Sequence, residues 1–230
     1  MSGAATPHAF VSLLDVLGYR NKIHSDRENG REEFKDNLLS SLSVLSSINE
    51  MEMSYQAISD TIIFSAIGSS GFEKFLKHNS DVHLSFLRNG LFVRGGISFA
   101  PHFKSGSLTY SHALPISYEI EQRQAVYPRI VIDRNIIEML KPGGLLADQS
   151  ASITSQELIC EENGVFFLNF VGSDLKDYYD LSREIYESDR EFLQGKEHEL
   201  AKHRWLQNFI VSMSGKKLNP YIAPVRVFKS

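Results

Sequence analysis

Two carboxylates stand alone in stretches that otherwise read as buried β-strand. Asp15 closes the run Phe10-Val11-Ser12-Leu13-Leu14 and precedes a Gly-containing turn, while Asp60 sits between Tyr55-Gln56-Ala57-Ile58 and Thr61-Ile62-Ile63-Phe64. A lone Asp in apolar surroundings is costly unless a cation meets it. The pattern therefore predicts a divalent metal held between strands and facing phosphates. Each residue also has a plainer role open to it: Asp15 as the cap of a following helix, Asp60 as a hairpin-turn residue. The β-branched residues after Asp60, with no glycine among them, make an ordinary tight turn less comfortable.

The elements that must position these two residues follow from periodicity. Residues 9–14 are almost all apolar, as in a central strand covered on both faces. Phe34, Leu38, Leu39, Leu42, Leu45 and Ile48 recur at helical spacing up to a break at Asn49-Glu50. Tyr55 to Ile67 reads as a strand pair folded near Ser59-Asp60-Thr61. A second helix is predicted over Phe72–Leu87, with Asn89-Gly90 as its C-cap. Leu91 to Phe99 is the next strand, then a polar loop through Ser111, a helix over Leu114–Arg123 and a strand at Arg129–Ile132. This order is a βαββαβ core of the α+β class, an antiparallel sheet with helices on one face. Gly164–Phe170 adds a late strand. From Leu181 onward apolar residues support helices broken near Gly195, with Trp205 and Phe209 packing at i, i+4 and a tail or loop over Lys216–Ser230.

Composition narrows the function classes. The chain has 230 residues with 24 basic and 28 acidic side chains, a net charge of −4, which argues against a surface for duplex nucleic acid. A nucleotide carried by metal needs no such surface. The single cysteine, Cys160, excludes an internal disulfide and a Cys-rich zinc site and fits a reducing cytoplasm. No stretch reads as a signal peptide or membrane span, so a cytoplasmic protein is expected.

Asp15-Val16-Leu17-Gly18-Tyr19 resembles the first metal motif of class III nucleotidyl cyclases, and Ile58-Ser59-Asp60 resembles the second. Val93-Arg94-Gly95-Gly96-Ile97-Ser98 is similar to the strand of that family that carries an arginine against terminal phosphates. The resemblance, spanning about residues 8–175, implies a ferredoxin-like cyclase fold with an additional strand and C-terminal helices: a catalytic domain over 1–180 and a helical extension over 181–230 packed on it. It implies that Asp15, Asp60 and the backbone carbonyl of Val16 hold two Mg²⁺ or Mn²⁺ ions. One ion would activate the ribose 3′-hydroxyl and the other would grip the triphosphate. Backbone N–H groups of Leu17, Gly18 and Tyr19 would cradle phosphate at a helix start. Arg94 would bind two phosphate oxygens through its planar fork, or serve as a structural ion-pair partner. Gly95-Gly96 would let the strand bend or a helix approach closely.

Departures from the purine cyclases are as informative. Gln56 stands where a purine-reading Lys is common, and an amide can both donate to and accept from a uracil or cytosine edge. Tyr55 reaches a base only if a bulge turns it to that face. Pro115 and Glu119 fall at the positions of the transition-state Asn and Arg, and Asn169 or Phe170 at that of a phosphate Lys. With Tyr118–Glu121, the set resembles the stand-alone pyrimidine cyclases of the bacterial antiphage system called Pycsar. That resemblance implies a homodimer with active sites at the interface, UTP or CTP as substrate, and a separate effector activated by the cyclic nucleotide. A catalytically silent, cyclase-like binding or dimerisation module is the alternative.

Overall fold

The computed structural model describes residues 5–47, 53–106, 108–215 and 217–223. Along the chain come β1 (His8–Val16), α1 (Tyr19–Asn29), α2 (Glu33–Leu42), a 3-10 turn (Ser43–Ser47), β2 (Met53–Ile58), β3 (Thr61–Ile67), α3 (Phe72–Arg88), β4 (Val93–Ser105), β5 (Leu108–Ser111), α4 (Ala113–Gln124), β6 (Ile130–Ile132), α5 (Arg134–Met139), α6 (Ala147–Ser155), β7 (Ile159–Glu162), β8 (Val165–Leu168), α7 (Leu175–Asp189) and α8 (Glu197–Met213). The chain divides into two compact units, Met1–Gly172 and Ser173–Ser230.

In the first unit the strands lie in the order β2-β3-β1-β4-β6-β8-β7, with β5 on β4. The run β2-β3-β1-β4, antiparallel at every step, is the ferredoxin-like α+β core that the strand and helix order predicts. The apolar β1 is central and almost wholly buried. Its even-numbered residues face α3: Phe10 stacks on Phe72 at 4.6 Å, and Phe64 of β3 lies 5.7 Å from Phe75. Its odd-numbered residues face α4, where Ala9 and Val11 cluster with Ala100 and Ala113. Helices thus cover both faces, not one as expected, and the parallel pairing of β4 with β6 makes the sheet mixed. The physical reason is Gly96: a Cβ there would lie 2.4 Å from the Ser117 carbonyl oxygen and 2.8 Å from Ile120 Cβ. With no side chain at that point, α4 settles directly onto β4.

Other differences have equally local causes. The stretch expected as a polar loop up to Ser111 is the β4–β5 hairpin, paired from His102↔Ser111 to Ser105↔Leu108. Of the helix expected from Phe34 to Ile48, the described part tightens into the 3-10 turn Ser43–Ser47 after Leu42, and Ile48 lies outside the described residues. Helix α1 has no buried residue and hence no apolar stripe to read; it is bounded by glycines, and the Asp26 carboxylate accepts from the Phe34 N–H at 3.0 Å to start α2. Helices α5 and α6 and strand β7 are also additional. The break at Asn49-Glu50, and Lys216 and 224–230 of the expected tail, lie outside the described residues.

The second unit contains α7 and α8, separated at Gly195, whose φ of +73° suits glycine. Trp205 and Phe209 stack at 5.4 Å, as their i, i+4 spacing predicts. Rings of Tyr186, His203 and Tyr221 meet between the helices and the chain that follows them.

Candidate active site at the end of the central strand

β1 ends between two partners. Asp15 pairs with Thr61 of β3 on one side and with Arg94 of β4 on the other. One residue later, the Val16 N–H donates to the carbonyl oxygen of Asp60 at 2.9 Å, and the Leu17 N–H donates to that of Phe92 at 2.9 Å. The first of these bonds fixes the tip of the β2–β3 hairpin against the end of β1 and so brings Asp60 beside Asp15; the second ties the chain after β1 to the start of β4. The hairpin loop is the dipeptide Ser59-Asp60, since Ile58 already pairs with Thr61. Ser59 takes up the left-handed conformation at φ +59°, which lets a two-residue turn close without glycine at a modest conformational cost.

Asp15 and Arg94 also share a face of the sheet, the one covered by α4. Arg94 Nε is 3.1 Å from Asp15 Oδ2, Nη2 is 2.6 Å from Glu121 Oε1, and Nη1 donates to the Ala125 carbonyl at 3.3 Å. Glu121 reaches this point because Ala113, Ser117, Ile120 and Glu121 form the buried stripe of α4, at i, i+4, i+7 and i+8. Its side chain is 1% exposed, against 24% for Asp15. Burial pushes the Glu121 carboxyl above the usual carboxylate range; Arg94 and a hydrogen bond from Gln122 oppose that, and the charges of Asp15 and Asp60 add to it. Two carboxylates, Asp15 and Glu121, therefore meet one guanidinium. Within the chain Arg94 makes the ion pairs that are one of the two roles the sequence leaves open.

Of the remaining expected residues, Gly18 sits at φ +77° as the residue before α1, where no side chain caps the first turn. The N–H groups of such a turn are available to an anion. Tyr19 opens the helix, with its ring edge-on to Phe34 at 5.2 Å. The Leu17 N–H, spent on Phe92, leaves the expected phosphate cradle. Gln56 pairs with Ile63 and so falls on the face of Asp15; it lines a shallow hollow with Ser54, Ser65, His102, Lys104 and Thr109. β2 is regular, without a bulge, and its alternation turns Tyr55 to the opposite face. Pro115 and Glu119 are exposed on α4, and Glu119 pairs with Arg123 at 2.6 Å. Asn169 Nδ2 donates to the Glu157 carbonyl at 2.8 Å, and Phe170 stacks on His83 at 3.9 Å. Glu119, Asn169 and Phe170 thus make their contacts within the fold.

Among the described residues, no group of three or more His, Cys, Asp or Glu side chains is arranged as a metal cage. Two carboxylates on neighbouring strand ends, with an uncapped helix start alongside, nonetheless suit Mg²⁺ or Mn²⁺. Such hard cations are commonly held by one or two carboxylates and completed by substrate phosphates.

Fold and site together define an α+β ferredoxin-like domain with paired carboxylates at the end of its central strand. No family model matches the sequence, and no curated protein matches it. Among solved structures, the chain is similar to the guanylyl cyclase Cya2, at 13% identity over 73% of this chain and 93% of that one, with a TM-score of 0.45. It is similar to the guanylate cyclase domain of RhGC from Catenaria anguillulae in complex with GTP, at 11% identity over 61% and 85%, with a TM-score of 0.40. A bacterial light-regulated adenylyl cyclase matches at 12% identity over 84% and 59%, with a TM-score of 0.44.

Proposed function

We propose that the chain is a nucleotidyl cyclase that converts UTP or CTP, with UTP favoured, to the 3′,5′-cyclic monophosphate and pyrophosphate. The observation that carries the reading is the junction of Asp15 and Asp60, held together by the Val16–Asp60 backbone bond with Arg94 on the same face. In this reading Asp15, Asp60 and the Val16 carbonyl hold two divalent cations, Mn²⁺ or Mg²⁺, which supply charge to the triphosphate and lower the pKa of the 3′-hydroxyl. The ribose 3′-oxygen bonds to the α-phosphorus and gives up its proton to solvent water. The bond from that phosphorus to the bridging oxygen breaks, and pyrophosphate leaves with the electron pair. The chain's own work is positioning: N–H groups of Gly18 and Tyr19 orient phosphate oxygens, and Arg94 offsets charge on the leaving group.

Gln56, on the face of Asp15, supports a pyrimidine substrate because its amide can match either base edge. Exposed Ile58 and Ile67 along β2 and β3 support a homodimer that closes the site from a second chain. A second-messenger role in antiphage defence, through a separate effector and in the cytoplasm, completes the proposal; among the described residues no helix is long and apolar enough to cross a membrane. One observation favours the silent-module alternative: all three guanidinium nitrogens of Arg94 are engaged within the chain.

The test is product analysis by chromatography and mass detection after incubation with Mn²⁺ and each of ATP, GTP, CTP and UTP. A single cyclic pyrimidine monophosphate is expected. Product from a purine alone would overturn the base assignment, and no product from any of the four would favour the silent module.

A further inference from the structure

The hollow that Gln56 lines lies between the β2–β3 pair and the β4–β5 hairpin, which contributes His102, Lys104 and Thr109. Its free volume is about 10 Å³, room for one oxygen-sized group, so it takes the tip of a ligand and not a whole ring. No carboxylate is among its lining residues. His102 is 3% exposed. Its Nδ1 lies 2.9 Å from Ser111 Oγ, which already accepts from the Leu114 N–H at 3.0 Å. The hydroxyl has one proton to give and Nδ1 is placed to accept it, so the ring's own proton sits on Nε2. Nε2, on the edge of the ring away from Nδ1, is buried without a hydrogen-bond partner. Folds rarely leave a buried donor unmet unless something else completes it. Burial and the charge of Lys104 lower the His102 pKa, which keeps the imidazole neutral and a donor at one nitrogen only. The exposed Lys104 reaches across to the Tyr55 carbonyl at 3.3 Å, a long bond that yields readily to an entering ligand.

We propose that His102 is a specificity-determining residue that selects uracil over cytosine, by donating from Nε2 to the carbonyl oxygen at position 4 of the base. This inference rests on the cyclase reading above and deepens it by choosing between its two substrates. Gln56 alone makes no choice, because turning its amide over matches N3 and the 4-substituent of either base. The imidazole, oriented by Ser111, breaks the tie. A cytosine amino group at that position would set N–H against N–H and leave a buried donor unmet, the kind of mismatch that a polar site rejects strongly. The ammonium of Lys104, which can only donate, favours the same base.

The test is turnover with Mn²⁺ of UTP, CTP and the triphosphate of pyrimidin-2-one riboside, which carries only hydrogen at position 4, by the full chain and by His102→Ala. For the wild type, kcat/KM for UTP is expected to exceed that for CTP and for the analogue by about tenfold, the scale of one buried hydrogen bond. His102→Ala is expected to lower kcat/KM for UTP by about tenfold and to leave the analogue unchanged, since the analogue has no oxygen for Nε2 to meet; a merely structural role would lower both. CTP used by the wild type as well as UTP or better overturns the inference, as does a loss in His102→Ala that is absent with UTP or equal with UTP and the analogue. The wild-type comparison decides even if His102→Ala fails to fold, and these failures leave the cyclase reading standing. No product from any nucleotide removes the cyclase reading. In the absence of turnover, calorimetry of UTP and CTP with Mn²⁺ then decides the base assignment: UTP bound about tenfold more tightly keeps it, and equal binding or none overturns it.

Discussion

On the α3 face of the central sheet, Phe10 lies 4.6 Å from Phe72 and 5.8 Å from Phe75, and the rings fill the space between strands and helix. On the α4 face the same strands present Ala9, Val11, Ser98 and Ala100. There Ser98 Oγ donates to the Ala113 carbonyl at 2.9 Å, and Ser117 Oγ donates to the Val11 carbonyl at 2.9 Å. The first face is an apolar interior in which each ring contributes about 1.5–3 kcal/mol by burial. The second gives up that bulk so that a helix backbone can approach a strand backbone and carry Glu121 to Arg94. Stability and chemistry are thus assigned to opposite sides of one sheet: large residues hold the fold, and small ones bring charges within bonding distance.

The widest separation of the two faces should come from Phe75→Ala. It is expected to cost about 3–5 kcal/mol in urea unfolding, as large-to-small core changes do, while Mn²⁺ affinity of the folded protein stays at the wild-type value. A shift in metal affinity would show that the two faces are coupled.

A second break comes from acid. His83 of α3 is fully buried, stacked on Phe170, and burial lowers its pKa from 6.5 to about 4. The folded state prefers the neutral imidazole, so its contribution is complete above pH 6.5 and lost as pH falls through 6.5 toward 4. The loss amounts to about 3.5 kcal/mol at most, since one pKa unit is worth about 1.4 kcal/mol. Urea midpoints measured from pH 7 down to pH 4 should fall in the wild type and fall less in His83→Gln. Parallel profiles would show that His83 is not the group responsible.

Smaller in stability but aimed at the site is Gly96→Ala. The added methyl meets the Ser117 carbonyl and Ile120, and overpacking of this kind costs about 1–3 kcal/mol. Because α4 must move to admit it, Mn²⁺ binding should weaken along with stability. Loss of stability with unaltered metal binding would mean that the close approach of α4 does not position the charges.

The two carboxylates were legible in the sequence because each interrupts an apolar run, and a polar residue in such a run must be explained. The βαββαβ order was legible for the same reason, from runs and periodicities long enough to read. Helix α1 was not, for it buries nothing and leaves no stripe. The β4–β5 hairpin was hidden by the polar stretch around Gly106, and by Leu108 and Tyr110, which stay exposed. Glu121 escaped as a site residue because, within Tyr118-Glu119-Ile120-Glu121, two glutamates look equivalent on an exposed helix. The signal that separates them is phase: Glu121 is in register with Ala113 and Ser117, and Glu119 is not. Whether that stripe faces a strand depends on Gly96, whose partner in space is distant in sequence.

The proposed function requires that Asp15 and Asp60 act as a pair on a nucleoside triphosphate. The most direct measurement is cyclic nucleotide formation from UTP and CTP with Mn²⁺ by the wild type, Asp15→Ala and Asp60→Ala, each with its urea unfolding curve. Both variants are expected to lose product entirely while keeping a cooperative unfolding transition; product formed at the wild-type rate by either variant would show that the two carboxylates are not the catalytic pair.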